Sequence, residues 1–134
     1  MRRKHNRQKT DFEYAEDFCR FVDGYALRVI FVDPAASSLR AALRAAGFVQ
    51  IRNANNDVLP GIQTVSRMLH NRQLFIRRVC RETIREKSSY VWDSKQQDKG
   101  EDVPLKKEDH AMDSERYFVH SAFGRSKLMA LGSL

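Results

Sequence analysis

Two acidic residues and one histidine have the types and spacing that metal chemistry requires. Asp33 follows the apolar segment Leu27–Val32, which predicts a buried strand, and α/β folds place their ligand sites at the carboxyl ends of strands. Asp113 stands three residues after His110 in a predicted helix, so the two side chains share one helical face. If these groups converge, they could hold a hard divalent cation such as Mg²⁺ or Mn²⁺.

Each of these residues also has a purely structural explanation. Asp33 precedes Pro34, and a helix N-cap followed by proline at the first helical position has this pattern. A helical histidine such as His110 is commonly solvated or paired locally, and Asp113 could pair with Arg116 on a solvated face. The sequence contains no glycine-rich phosphate loop, no GxSxG and no HExxH, so no other catalytic motif competes.

The composition is typical of one globular domain. Hydrophobic residues make up 42% of the 134 positions, which is too apolar for a wholly disordered chain. Apolar runs such as Val29–Val32 are far shorter than the roughly 20 residues of a membrane span. No apolar signal segment follows the basic N-terminus. Cys19 and Cys80 have no CxxC partner, so we expect reduced core thiols in a cytoplasmic protein without membrane contact.

The charge balance favours a polyanionic partner. The chain has 24 Lys and Arg against 17 Asp and Glu, a net charge of +7. Nucleic acid is the usual partner of a basic domain of this size, although charge alone identifies neither a fold nor a ligand.

Hydrophobic periodicity predicts an α/β fold with a mostly parallel central sheet flanked by helices. Strands separated by a helix of about a dozen residues form a parallel βαβ unit with a right-handed crossover. A sheet that begins on Leu27–Val32 has a large exposed edge, as if its first strands were missing. A capping box at Thr10 and Glu13 opens the first helix, which we expect to end at Gly24. The remaining predicted helices are 35–46, 58–71, 79–88 and 106–123, and the remaining strands are 48–51 and 74–76.

Four segments occur in an order that one protein family shares: Lys9–Tyr14, Val32–Ala36, Asn56–Ile62 and Asp109–Tyr117. Together they resemble the C-terminal nuclease domain of the terminase large subunit of tailed phages and prophages. Lys9–Tyr14 is similar to its KTxxxY helix opening, and Val32–Ala36 resembles its DPSA strand end. Asn56–Ile62 resembles its NDVxxGI turn, and Asp109–Tyr117 resembles its DHAxDAxRY helix. Tyr90–Asp93, before a polar segment, also looks like this family. The resemblance covers roughly residues 9–120.

The resemblance implies an RNase H-like fold and a two-metal nuclease that cuts concatemeric viral DNA during packaging. The family's metal-binding and catalytic positions carry over to Asp33 and Asp113, with His110 beside them as a third catalytic residue. The implied cofactor is Mg²⁺ or Mn²⁺. The implied partners are double-stranded DNA, the terminase ATPase domain, the small terminase subunit and the portal, in the bacterial host cytoplasm.

One departure from the family affects the expected activity. The family's first metal-binding Asp lies on a strand upstream of the KT helix, and this sequence starts just before that helix. We therefore expect a truncated gene, a split subunit or a shortened recombinant version, completed by a chain that supplies the missing strand. The alternative function is a non-catalytic remnant or split subunit that only binds DNA or packs against a partner chain. A third, more distant alternative is a basic α/β binding module unrelated to packaging. The expected organisation is a basic arm at 1–9, the partial nuclease domain at 10–123 and a tail at 124–134.

Overall fold

Apolar residues at helical and strand spacing organise the chain into two compact units, Met1–Asn53 and Ala54–Leu134. The structure is a computed structural model and describes residues 7–89 and 109–124. The motif Tyr90–Asp93 and most of the predicted arm at 1–9 and tail at 124–134 lie outside those residues. The elements are α1 (Asp11–Phe21), β1 (Ile30–Val32), α2 (Ser37–Ala45), β2 (Ile51–Asn53), α3 (Val58–His70), α4 (Arg81–Ser89) and α5 (His110–Phe123).

The predicted capping box opens α1. The Thr10 hydroxyl accepts a hydrogen bond from the Glu13 N–H at 3.3 Å, and the Glu13 carboxylate accepts one from the Thr10 N–H at 2.8 Å. Arg7 forms an ion pair with Glu13, and Lys9 forms one with Asp17. The Thr10 backbone donor, followed by the Thr10 hydroxyl and Arg7, holds the pKa of Glu13 below its ordinary value. The helix start is therefore fixed by local interactions.

Replacing Thr10 by alanine should lower the free energy of unfolding by about 1 kcal/mol at neutral pH, because one half of the capping box is lost. A carboxyl group with a lowered pKa stabilises the fold above its unfolded pKa, and this contribution disappears as the pH falls through the folded pKa. Urea titrations should therefore show a smaller effect of Thr10→Ala below the ordinary Glu pKa of 4.5. The pH dependence arises because the Thr10 hydroxyl also lies 3.1 Å from Oε2 of the Glu13 carboxylate. Thr10→Ser, which keeps the hydroxyl, is the matched control; a Thr10→Ala variant as stable as Thr10→Ser at neutral pH would contradict the capping role.

The other end of α1 differs from the prediction. The helix ends at Phe21 and Val22 caps it by donating its N–H to the Phe18 carbonyl at 3.0 Å. Gly24, the expected end, lies in the following turn with a φ of +80°. A φ in this region favours glycine because it has no Cβ.

The α/β class and the parallel strand pairing are confirmed. β1 and β2 form a two-stranded parallel sheet in the described residues, with Ile30 opposite Ile51 and Val32 opposite Asn53, and α2 connects the strands. The core of this unit comprises Ala15, Ile30, Val32 and Leu43.

The second strand starts later than 48–51. Gly47 leaves α2 with a φ of +101°, and the Phe48 N–H returns to the Leu43 carbonyl at 3.1 Å to close the helix end. The Phe48 ring then packs edge-on against Phe18, with the ring centroids 5.3 Å apart. Because Phe48 is used in this way, strand pairing begins only at Ile51.

The second unit packs α3 and α4 against α5, around Val65, Met68 and Val119. The predicted strand 74–76 is wrong, since these residues pair with no strand in the described part of the chain. Leu74 packs against the helical core while the neighbouring Phe75 is 76% exposed. The apolar run that suggested a strand is thus explained by the packing of Leu74 on the helices.

Three smaller findings complete the fold. α4 begins at Arg81, two residues later than predicted, and α5 begins at His110, with positions 106–108 outside the described residues. Cys19 is half-buried, but Cys80 is exposed, so the expectation that it is a core thiol is wrong. None of the helices in the described residues combines the length and apolar character needed to cross a membrane.

Candidate functional site

Asp33 lies where the sequence predicted, directly after the last residue of β1. Its Oδ1 accepts a hydrogen bond from the Ala35 N–H at 3.0 Å, and its carbonyl accepts one from the Ala36 N–H at 2.9 Å. These contacts form a turn in the style of an Asx turn. α2 starts only at Ser37, with Ala36 as its N-cap, so the alternative explanation of Asp33 as a helix N-cap is wrong.

His110 and Asp113 occupy the first turn of α5. His110 is exposed, whereas Asp113 is half-buried with 19% of its side chain accessible. Oδ1 of Asp113 accepts a hydrogen bond from the Arg116 Nη2 at 2.8 Å, three residues along the helix. The expected pairing with Arg116 is therefore present. The solvated face assumed for it is wrong, because the Arg116 side chain is only 4% exposed.

A carboxylate from another helix fixes the start of α5. Oε2 of Glu86, a buried residue of α4, accepts hydrogen bonds from the N–H groups of Ala111 at 2.7 Å and Met112 at 3.1 Å. These donors have no partner within their own helix, and a negative charge also complements the positive end of the helix dipole. Glu86 thereby orients the turn that carries His110 and Asp113.

Arg116 connects the first turns of α5, which carry Asp113, to the turn that precedes α3. Its Nη1 donates to the carbonyl oxygens of Asn56 at 2.8 Å and Asp57 at 3.2 Å, while Nη2 reaches Asp113. Its guanidinium carbon lies 4.9 Å from the centre of the Tyr117 ring, an arrangement that favours a cation. The guanidinium charge is thus balanced by one carboxylate, two carbonyl dipoles and an aromatic face.

A glycine makes room for this arginine. A Cβ on Gly61 would stand 2.5 Å from Cγ and 2.8 Å from Cδ of Arg116, closer than real atoms approach. In the last turn of α5, the Ser121 hydroxyl accepts a hydrogen bond from the Asn55 N–H at 2.7 Å, so the segment before α3 is held at a second point. The two sequence motifs 56–62 and 109–117 therefore form one packed structure around Asp113.

Sequence reasoning missed Glu86 and the buried role of Arg116. Glu86 stands 25 residues before the first N–H that it binds, and no local pattern marks such a contact. Arg116 and Gly61 both stood inside motifs of the resemblance, which was the available signal. The helix α5 carries a second half-buried carboxylate, Glu115, whose side chain is 11% exposed and pairs with Lys87 of α4 at 2.8 Å.

The donor chemistry of the predicted metal ligands suits a hard cation. Carboxylate oxygens are the preferred ligands of Mg²⁺ and Mn²⁺, and an imidazole favours Mn²⁺ over Mg²⁺. Asp33 belongs to the unit Met1–Asn53, whereas His110 and Asp113 belong to the unit Ala54–Leu134. Within residues 7–89 and 109–124, no three His, Cys, Asp or Glu side chains are grouped closely enough to hold a metal ion. The convergence of Asp33 and Asp113 stays a prediction.

Comparison with known proteins identifies similar solved structures. No protein-family model matches the chain, and neither does any curated protein sequence. The large terminase of a thermophilic bacteriophage, in its complexes with ATP-gamma-S and with ADP, matches with 43% identity and a TM-score of 0.83. The match covers 89% of this chain and 30% of the phage terminase chain. These structures support the resemblance to a phage terminase large subunit that the sequence motifs indicated.

Proposed function

We propose that the chain is the nuclease part of a phage terminase large subunit, with an RNase H-like fold. Its activity would be metal-dependent endonucleolytic cutting of concatemeric viral DNA during genome packaging. The observation that carries the proposal is the fixed position of Asp113. A half-buried carboxylate, anchored by Arg116 on a helix start that Glu86 caps, is oriented in advance for a ligand. The similarity to the large terminase of the thermophilic phage supports the same conclusion.

The residues proposed to hold the cations are Asp33 and Asp113, with His110 beside them. When bound, two divalent ions would activate a water molecule and stabilise the leaving oxygen of the DNA strand. The protein's own contribution is to hold the ligand oxygens in place. Arg116 fixes one oxygen of Asp113, and the turn after β1 fixes one oxygen of Asp33.

Titration calorimetry with Mn²⁺ on the full chain tests the proposal. We expect weak binding of Mn²⁺, tighter than binding of Mg²⁺, because Mn²⁺ tolerates imperfect geometry and accepts an imidazole ligand. Asp113→Asn and Asp33→Asn should each lower the Mn²⁺ affinity at least about tenfold, since each removes a charged ligand. Asp113→Asn keeps an oxygen that can accept a hydrogen bond from Arg116 but removes its counter-charge. Thermal unfolding of each variant is therefore measured alongside, to show that it is folded at the temperature of the titration.

Asp23→Asn is the matched control, because Asp23 is exposed and lies outside the proposed site. It should leave Mn²⁺ binding unchanged. The same variants should be compared for nicking of supercoiled plasmid DNA in Mn²⁺. Equal Mn²⁺ binding by the wild type, Asp33→Asn and Asp113→Asn would overturn the nuclease proposal.

A second candidate function is association with another chain or domain without catalysis. In the unit Met1–Asn53, several large apolar side chains face solvent, among them Phe21 at 79%, Tyr25 at 76% and Val49 at 91% exposure. Apolar surface of this kind favours a protein partner.

Partners of the proposed nuclease are double-stranded DNA, the terminase ATPase domain or a chain supplying a further strand, the small subunit and the portal. This chain spans only 30% of the length of the phage terminase that it matches.

A further inference from the structure

Four arginines crowd the connection between α3 and α4. Arg72, Arg77, Arg78 and Arg81 lie within ten residues that contain no Asp or Glu, and all four are exposed. We name residues 72–81 the arginine segment. None of these four guanidinium groups makes a hydrogen bond or ion pair with any side chain in the described parts of the chain, 7–89 and 109–124. The segment therefore carries a dense positive charge without internal compensation.

The next arginine shows the contrast. Arg85, one turn further along α4, holds the Glu82 carboxylate with Nε at 3.0 Å and Nη2 at 2.7 Å. Helical arginines of this protein thus pair where an acidic residue is within reach. Like charges that lie near one another repel, and an anion that binds among them relieves this repulsion.

Arg72 occupies a backbone position that suits glycine. α3 ends in a Schellman arrangement, in which the Gln73 N–H donates to the Met68 carbonyl at 2.8 Å and the Arg72 N–H donates to the Leu69 carbonyl at 3.1 Å. The residue at this position takes a left-handed conformation, and Arg72 has a φ of +55°. Glycine adopts it without a Cβ penalty. An arginine at this position strains the backbone and adds charge to the segment.

Apolar side chains stand among these arginines. Phe75 is 76% exposed and Val79 is 73% exposed. Exposed aromatic and cationic groups together are typical of nucleic-acid surfaces, and also of surfaces that bind anionic membranes. The net charge of +7 and the DNA partner of the proposed function favour nucleic acid.

We propose that the arginine segment is a surface that grips the phosphate backbone of duplex DNA without reading its sequence. The proposal rests on the proposed function for its partner and adds the residues that hold it. Guanidinium groups bind phosphate oxygens in bidentate fashion, and such contacts position a duplex but carry no sequence information. The role expected of the segment is to hold DNA on the unit that carries Asp113.

Fluorescence anisotropy with a labelled duplex of arbitrary sequence tests the segment, using the full chain over about 50 to 200 mM salt. At the lowest salt concentration, the triple variant Arg77→Gln, Arg78→Gln, Arg81→Gln should bind the duplex at least about tenfold more weakly than the wild type does. Its slope of log affinity against log salt should be smaller by about 2 to 3, because each phosphate contact contributes about 0.9 to that slope. A second duplex of unrelated sequence should give the same values.

The matched control removes the same charge from exposed positions of the other unit, Arg28→Gln, Arg44→Gln and Arg52→Gln. Its slope should stay close to that of the wild type. If both triple variants lose the same amount of duplex affinity, the effect is one of net charge alone. That result would overturn the proposal that the arginine segment holds DNA. If both triple variants bind the duplex as tightly as the wild type does, the proposal that the arginine segment holds DNA is also overturned. The proposed function is not affected by that result. A wild type that binds no DNA at low salt would overturn both.

Arg72→Gly separates a binding role from a structural one. It should raise the midpoint of thermal unfolding, because the backbone strain is relieved, and lower the salt slope by about 1. Loss of thermal stability together with weaker binding would assign Arg72 to the fold and contradict its part in the surface. Binding to vesicles that contain anionic lipid is measured in a separate assay. If the arginine variants weaken vesicle binding but not duplex binding, the surface is a membrane contact and the DNA proposal fails.

Discussion

Replacing Arg116 by methionine is expected to lower the free energy of unfolding by about 3–5 kcal/mol, the range for breaking a buried ion pair by removing one partner. The Arg116 side chain is 4% exposed and donates to Asp113 and to the carbonyls of Asn56 and Asp57. Methionine fills much of the volume but supplies no donor. The Asp113 carboxylate then loses its guanidinium, and two backbone acceptors lose their donor.

Urea unfolding followed by circular dichroism measures this loss, with Arg44→Met as the matched control. Arg44 is an exposed helical arginine of α2, and its replacement should change stability by no more than about 0.5 kcal/mol. Arg116→Lys should fall between the two, because an ammonium keeps the charge but cannot reproduce the planar fork of donors. Similar losses for Arg116→Met and Arg44→Met would mean that the buried network contributes nothing to stability.

The predictable parts of the fold depend on contacts between near neighbours in the sequence. The capping box of α1 needs only Thr10 and Glu13, and its bonds are present. The strand–helix–strand order of the first unit follows from apolar spacing, and β1 and β2 pair in parallel. The same local information places Asp33 at the end of β1 and puts His110 and Asp113 on one turn of α5.

The parts that sequence could not supply depend on distant contacts. A short apolar run such as 74–76 has the same pattern whether it pairs with a strand or packs on helices, and here Leu74 packs on the helical core. Similarly, a glutamate on a basic helix has no feature that marks it as a cap for another helix, as Glu86 is for α5. The burial of Arg116 followed from its packing against the turn at 56–57, which sequence separation conceals.

The second large effect is expected from Gly61→Ala. Gly61 is buried within α3, and an added Cβ would stand 2.5 Å from Cγ of Arg116. Arg116 cannot swing away without losing its bonds to Asn56, Asp57 and Asp113. Overpacking of this kind should lower the free energy of unfolding by about 1–3 kcal/mol. Ser66→Ala, at an exposed position of the same helix, is the matched control and should be neutral or slightly stabilising.

A double-mutant cycle with Arg116→Ala shows whether the arginine is the cause. With the long side chain removed, the clash disappears, and alanine at position 61 gains about 1 kcal/mol over glycine in a helix interior. Gly61→Ala should therefore destabilise the wild type but stabilise the Arg116→Ala background, as measured by urea unfolding. A loss of similar size in both backgrounds would contradict this explanation, because the strain would then come from the α3 backbone. The reversal of sign would show that the glycine of one motif is required by the arginine of the other, which holds Asp113 in place.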